Sequence, residues 1–465
     1  MLELEHINKG GKNMKKVIGK TLSAALALAM TVSIAACGSG NQSESSSSSS
    51  AASSSSAATT STAASGDPVK LTLWHIQTTE PMTSNIKADI DRFTKDNPKY
   101  TVDVQPMQND AYKTKLKIAL SSNTAPDIFF SWTGGPMNEY VDADKIADLT
   151  PFMDKDNYKA RFMDAGINQA TYKDKIWGVP VENTSVAMFF YNKDLFAKYN
   201  LQVPKTTKEL ENVCDTLKKN GIIPFSLANK TQWTGSMYYM YLANRIGGAD
   251  AFKNAAARTG SFEDESFKQA GTILQDWVKK DYFNKGFNGL DEDSGQSRTL
   301  LYTEKAAMTL MGSWFLSTAA GENKDFMKKV GSFAFPAVEG GKGEPDAVVG
   351  TVGDNFYHIA KTCKDPEGAF KAIQYMIDDT AIAKRIEAGR VPPVKGVKVS
   401  DPLLQNVLDA VQKAPSVQLW YDQYLSPELS DLHKSTTQAL FGLSKTPDQV
   451  DKEMEAKAKE LAAKK

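Results

Sequence analysis

The sequence predicts an α/β fold organised in two domains, and three observations predict it. Strand-type and helix-type runs alternate from residue 69 onward. Roughly 400 residues follow a low-complexity N-terminal stretch, more than a single core comfortably organises. No internal repeat of about 20–50 residues is present, which argues against solenoids and propellers.

The elements follow in order. "VKLTLWHIQ" (69–77) alternates Leu71 and Leu73 with polar positions and reads as a strand. Ile86, Ile90 and Phe93 then recur at helical spacing, and the pattern stops at Asn97-Pro98. "YTVDVQP" (100–106) reads as a strand, 110–121 as a helix, and "APDIFFSW" (125–132) and "SVAMFFYN" (185–192) as buried strands. Thr206 with Glu209 has the spacing of a capping box, after which Leu210, Val213, Cys214 and Leu217 line one helix face up to Gly221. "GIIPFSLA" (221–228), "KAAMTLMGSW" (305–314) and "GSFAFPAV" (331–338) carry further strands, and helices are predicted near 366–378, 402–413, 427–441 and 447–463. Trp277, within "ILQDWVKK", fits helix packing.

The N-terminal stretch has its own logic. Lys15, Lys16 and Lys20 precede an uncharged run over 21–36, and Ile34, Ala35 and Ala36 lead into Cys37. That is the pattern of an export signal, and the run is shorter than the ~20 residues of a spanning helix. Ile-Ala-Ala-Cys resembles the lipobox of bacterial lipoproteins, which implies a signal peptide over 1–36 and a lipid, such as palmitate, on Cys37. Glu3 and Glu5 sit badly in a basic leader, so Met14 reads as the translation start. Residues 37–66 are dominated by Ser, Ala and Thr, cannot bury enough apolar surface to offset their ordering entropy, and read as a disordered tether with a reach of roughly 30 Å.

Composition excludes several function classes. The chain has three cysteines, Cys37, Cys214 and Cys363, without metal or redox spacing, and only four histidines. No cofactor or metal site is read from it, and Cys214 and Cys363 are expected to remain unbridged. Beyond residue 36 the net charge is about −3, which does not advertise nucleic acid. Motifs of P-loops, zinc proteases and serine hydrolases do not occur.

In α/β sheets, ligands gather where strands end. His75 and Gln77 follow the first strand, Ser131 and Trp132 the third, and Trp314 follows Gly312-Ser313. Five of the seven tryptophans, at 74, 132, 233, 314 and 420, fall at strand ends or in loops, with Tyr421 and Tyr424 beside the last. An indole plate stacks on the C–H face of a pyranose, and amides or carboxylates bridge its hydroxyls. Glu182, Asn183, Gln232 beside Trp233, and Asp354-Asn355 supply that polar chemistry. Each polar residue alone is equally well a solvated turn, and His75 reads as a hydrogen-bonded histidine before it reads as a metal ligand.

"GVPVENTSVAMFFYNKDLF" (178–196), "MGSWFL" (311–316) and "DPEGAFKAIQYM" (365–376), behind the lipobox and tether, resemble the extracellular solute-binding proteins of carbohydrate ABC transporters, the maltose-binding-protein-like group. The resemblance implies a periplasmic-binding-protein fold: two α/β lobes, hinge strands, and a ligand cleft between them. It places lobe I at 67–181 and 347–391 and lobe II at 182–346 and 392–465, with chain crossings near 180–184, 340–348 and 391–394. It matches Trp314, the Trp420-Tyr421 pair and the Ser131-Trp132 turn to sugar contacts. Gly134, Gly135 and Tyr424 depart from the charged residues of maltose-binding protein, so the particular sugar is not inherited.

The function read from the sequence is therefore a lipid-anchored, monomeric receptor on the outer face of the cytoplasmic membrane. It captures a sugar, with an oligosaccharide favoured, and presents it to membrane permease subunits of an ABC transporter. It is not read as an enzyme. Two rivals stay open: the same fold with a non-sugar ligand, and a surface glycoside hydrolase using Glu182 and Asp354 as its carboxyl pair.

Overall fold

A computed structural model describes residues 68–464. The predicted signal peptide, Met14, Cys37 and the serine-rich tether lie outside these residues. The strands are β1 (Val69–His75), β2 (Tyr100–Pro106), β3 (Ile128–Ser131), β4 (Thr171–Tyr172), β5 (Lys175–Ile176), β6 (Val179–Pro180), β7 (Asn183–Asn192), β8 (Ile223–Phe225), β9 (Ala306–Gly312), β10 (Val330–Phe333), β11 (Val348–Gly353), β12 (Phe356–Ile359) and β13 (Val417–Gln418).

Two sheets organise the molecule. The first has the order β2-β1-β3-β12-β6, parallel across β2, β1 and β3 and antiparallel at β12 and β6. In β1, Leu71, Leu73 and His75 point inward because successive side chains alternate between faces. The helix Met82–Asp96 lays Ile86, Ile90 and Phe93 on this sheet and ends where the Asn97 N–H bonds the Phe93 carbonyl, just before Pro98. The second sheet has the order β13-β11-β7-β9-β8, with β10 extending the β7 pairing. β7 is its spine: Asn183–Val186 face β11, and Ala187–Tyr191 face β9.

Each sheet carries its own core, so the chain forms two lobes. Lobe I packs Phe129, Phe130, Ile359 and Phe370, and lobe II packs Phe189, Tyr238, Trp277 and Met308. Trp277 is fully buried in the helix Glu265–Lys279, and its indole N–H donates to Glu211 Oε1 at 2.9 Å. The helices Pro427–Phe441 and Pro447–Ala462 complete lobe II through Leu440, Phe441, Val450 and Met454. Cys214 is buried in the lobe II core, while Cys363 packs beside that of lobe I. Among the described residues, no helix is long and apolar enough to cross a membrane.

The structure moves two boundaries and one cap. β11 stays in the lobe II sheet through Gly353, so the return passage falls at 353–356 and not at 346–347; the Val348–Gly353 run has both faces covered and cannot leave earlier. Val394, assigned from sequence to lobe II, packs in lobe I, where Met163 N–H donates to the Pro393 carbonyl at 2.9 Å and Lys395 N–H to Arg161 at 2.8 Å. At the helix Thr207–Lys219, Thr206 Oγ1 caps Glu209 N–H as expected, but the Glu209 carboxylate takes the Lys205 N–H at 2.7 Å, one residue before the box position.

Candidate functional site

The cleft between the lobes encloses about 1110 Å³ of empty space, its solvent mouth included. Its walls come from three sources: the ends of β1 and β3 with the start of the helix Asn109–Ser121 in lobe I, several helix starts in lobe II, and the passages between the lobes.

Lobe II builds an aromatic wall. Trp314 sits between Trp233 and Trp420, with ring centroids 6.0 and 5.9 Å away and interplanar angles of 61° and 64°. The three indoles thus meet edge to face, the arrangement their quadrupoles favour. Gly312 makes this possible, because a Cβ there would lie 2.0 Å from the Trp314 ring, which folds back over the end of β9. Trp233 opens the helix Trp233–Gly247 and leaves its buried indole N–H without a protein partner. Trp132 of lobe I lines the facing wall, with the Lys113 ammonium 4.8 Å from its ring centroid.

The passages between lobes carry a buried polar network. The Glu182 carboxylate accepts from Gln77 Nε2 at 2.7 Å, Asn355 Nδ2 at 2.9 Å and the Tyr357 hydroxyl at 2.7 Å. Arg390 Nη2 donates to Gln77 Oε1 at 3.3 Å, and Ser185 Oγ donates to Asp354 Oδ2 at 2.8 Å. Asn183 clamps the hinge: its Oδ1 accepts the Val391 N–H at 2.8 Å and its Nδ2 donates to Ser185 and Ser313. Burial pushes the Asp354 carboxyl up to about 6, against the pull of Ser185 and Arg390. Burial likewise holds His75 down to about 4, so it is neutral at physiological pH, and its Nδ1 accepts the Gln77 N–H.

Seven of the residues singled out from sequence line this cleft: Gln77, Trp132, Trp233, Trp314, Asp354, Asn355 and Trp420. Seven others do not. His75, Ser131, Glu182 and Asn183 are buried behind it, the last two as network and hinge residues. Gln232 turns away to Gln438 at 3.1 Å. Tyr421 is buried against Phe252, ring centroids 3.6 Å apart, and Tyr424 flanks the same ring and is 41% exposed. The physical reason for the last pair is the short helix Tyr421–Tyr424, whose turn of about 100° per residue aims Asp422 and Gln423 at the cleft instead.

Sequence reasoning missed Lys113, Met237, Arg298, Arg390, Asp422 and Gln423, all of which line the cleft. Asp422 and Gln423 stood between the two tyrosines chosen, and Arg390 within the proline-glycine break "GRVPPVKG". The acids Glu292 and Glu322 hold Arg298, the former at 2.5 Å and the latter at 2.8 Å. Among the described residues, no three His, Cys, Asp or Glu side chains assemble as a metal-binding group.

Comparison with known proteins places this architecture. The profile of the family described as bacterial extracellular solute-binding protein matches residues 78–383, about two thirds of the chain. An ABC transporter extracellular-binding protein of Pyrococcus horikoshii is 24% identical over 53% of this chain, and the match spans 56% of that relative. The osmoprotective compounds-binding protein of Synechocystis is 22% identical over 52% of this chain and 59% of its own length. Among solved structures, one from work on xylan utilization by Caldanaerobius polysaccharolyticus superposes with a TM-score of 0.79 at 31% identity, covering 84% of this chain and all of the other. A chitin oligosaccharide binding protein superposes at 0.78 with 24% identity, covering 85% of this chain and 99% of its own, which speaks to the fold.

Proposed function

The chain belongs to the bacterial extracellular solute-binding protein family, and from that premise we propose that it is a sugar receptor, with an oligosaccharide favoured, that delivers its ligand to the permease of an ABC transporter. The observation that carries the sugar assignment is the Trp233–Trp314–Trp420 wall facing Trp132, with Gln77, Asn355 and Gln423 between them. Stacking surfaces set among amides and side chains of both charges, Lys113 and Arg390 with Asp354 and Asp422, suit a neutral polyhydroxylated ring better than a polyamine, which calls for clustered acids. The printed subjects of two similar structures, xylan utilization and chitin oligosaccharide binding, lean the same way.

Capture proceeds by closure of the lobes about the passages at 181–183, 353–356 and 390–397, which move as hinges while the two cores stay rigid. The ligand drives closure only through contacts that it makes better with the closed form. The lipobox reading extends the proposal to the envelope: Cys37 carries lipid, residues 37–66 tether the receptor, and it works as a monomer outside the cytoplasmic membrane. The hydrolase alternative loses ground because Glu182, one of its two carboxyls, spends its oxygens on Gln77, Asn355 and Tyr357. The receptor is therefore proposed to bind without turnover.

Titration of the purified protein with xylo-, chito- and raffinose-type oligosaccharides tests this, read by tryptophan fluorescence and melting temperature. Saturable change with unaltered sugar recovered afterwards supports the reading. Silence across the panel, or sugar consumed by pure protein, overturns it.

A further inference from the structure

A lysine without a close acid sits on the rim of the cleft. Lys113 stands one turn into the helix Asn109–Ser121 of lobe I, where it lines both the cleft and a solvent-open hollow on the outer side of the contact between the lobes. Its ammonium lies 4.8 Å from the Trp132 ring centroid, and the acid of its own helix, Asp110, stands 4.0 Å away. Lys113 is thus held over a ring of the ligand wall and only weakly paired within its own lobe.

Lobe II meets it with acids. Asp293, in the loop before the helix Gln296–Tyr302, and Asp422, in the helix Tyr421–Tyr424, line the same cleft. Among the described residues neither has an ion-pair partner within 4.0 Å, whereas Asp291 holds Lys230 at 3.1 Å and Asp431 holds Lys434 at 3.0 Å. Burial pulls the Lys113 ammonium below its ordinary value, and Asp422 is the strongest charge acting the other way, with Lys434 opposing and Asp110 and Asp293 adding to the attraction. Burial and the Asp110 carboxylate push Asp293 up, while the Asp110 backbone N–H and Lys113 draw it back. That N–H opens a helix that Gln108 leaves without a side-chain cap, so Asp293 faces the positive end of the helix as well as its lysine. Opposite charges divided between two lobes favour the form that brings them together, because opening returns each to full hydration and screening.

We infer that Lys113 is a positioning residue, the lobe I half of an ionic clasp whose lobe II half is Asp293 and Asp422, and that this clasp steadies the closed form across the rim of the cleft. This rests on the closure proposed above and adds what holds it. The clasp acts between the lobes and calls for no charge on the ligand.

The test is the salt dependence of two quantities in the parent protein, Lys113→Met, Lys113→Arg and Asp422→Asn: affinity for neutral xylo- and raffinose-type oligosaccharides, and the radius of gyration of the sugar-free chain by small-angle scattering. A neutral sugar brings no charge, so any salt dependence of its binding belongs to the protein. Between about 0.02 and about 0.5 M salt the screening length shrinks from roughly 20 Å to roughly 4 Å. Over that range the parent is expected to bind roughly threefold more weakly and to expand when sugar-free. Lys113→Met should be weaker and wider at low salt and flat thereafter, Lys113→Arg should keep the parent's slope, and Asp422→Asn should have a shallower one. A lysine that merely packs on Trp132 would instead cost the same factor at every salt concentration. A parent indifferent to salt, a slope that survives in Lys113→Met, or one lost in Lys113→Arg overturns the clasp. If no sugar binds the parent, the sugar assignment falls and the radius of gyration alone decides the clasp.

Discussion

A Cβ on Gly135 would lie 1.9 Å from the Leu425 carbonyl oxygen, so the two lobes touch through backbone at a point that admits no side chain. The obstacle is main chain on both sides and cannot rotate away. Gly135→Ala is therefore expected to hold the lobes apart while leaving each core folded. Small-angle scattering with saturating sugar should give a larger radius of gyration than the parent protein, and affinity should fall at least ~tenfold as the closed population shrinks. A variant that closes and binds normally would show that the contact gives way without cost.

The tryptophan wall predicts a graded loss. Trp314→Ala and Trp420→Ala should each weaken sugar binding by on the order of 1–3 kcal/mol, by analogy with base–aromatic stacking. Trp277, which is fully buried away from the cleft, marks the contrast. Trp277→Phe should lower the melting temperature and leave the dissociation constant unchanged. Calorimetric titration of the three variants separates the two effects.

Glu182 is a structural carboxylate with three donors aimed at it. Glu182→Gln replaces one accepting oxygen with a donor facing donors, and leaves buried groups of Gln77, Asn355 or Tyr357 unsatisfied. A stability loss of about 1–3 kcal/mol is expected from chemical denaturation. A neutral outcome would mean that the network repacks around the amide.

The raised carboxyl of Asp354 makes a signed pH prediction. A carboxyl moved from 3.8 to about 6 binds its proton more tightly in the folded state, so its contribution is fully present below about 3.8 and is lost as pH rises through about 6. Asp354→Asn, which cannot ionise, should therefore gain stability relative to the parent above pH 6, and that advantage should vanish toward pH 4. Its neighbours Arg390 and Glu182 stay in both proteins, and His75, lowered from 6.5 to about 4, loses its own contribution as pH falls in the parent and the variant alike. Melting curves of the pair across pH 4–7.5 read the difference directly, and a constant offset would refute the assignment.

The envelope reading predicts that Cys37→Ala abolishes lipid attachment. Expressed in a bacterium with lipoprotein processing, the parent chain should label with palmitate and partition with membranes, while the variant should not label. A labelled variant, or an unlabelled parent, would count against the lipobox.

Periodicity and residue chemistry determined the class, the strand and helix runs, and much of the aromatic wall. β1 alternates at period two, the helix Met82–Asp96 repeats its apolar face, and Trp314 follows a Gly-Ser turn, all within windows of a few residues. Local pattern carries such information because it reports which face of one element is covered. It does not report which elements meet. Tyr421 and Asp422 are adjacent and equally plausible by chemistry, and only the packing of Phe252 on Tyr421 turns Asp422 and Gln423 to the ligand side. Glu182, Gln77, Asn355 and Arg390 come from four distant stretches, and their mutual satisfaction exists only once both lobes are folded and joined. The fold was legible because burial leaves its period on each strand and helix, whereas the site was decided by tertiary contacts among residues up to 313 positions apart.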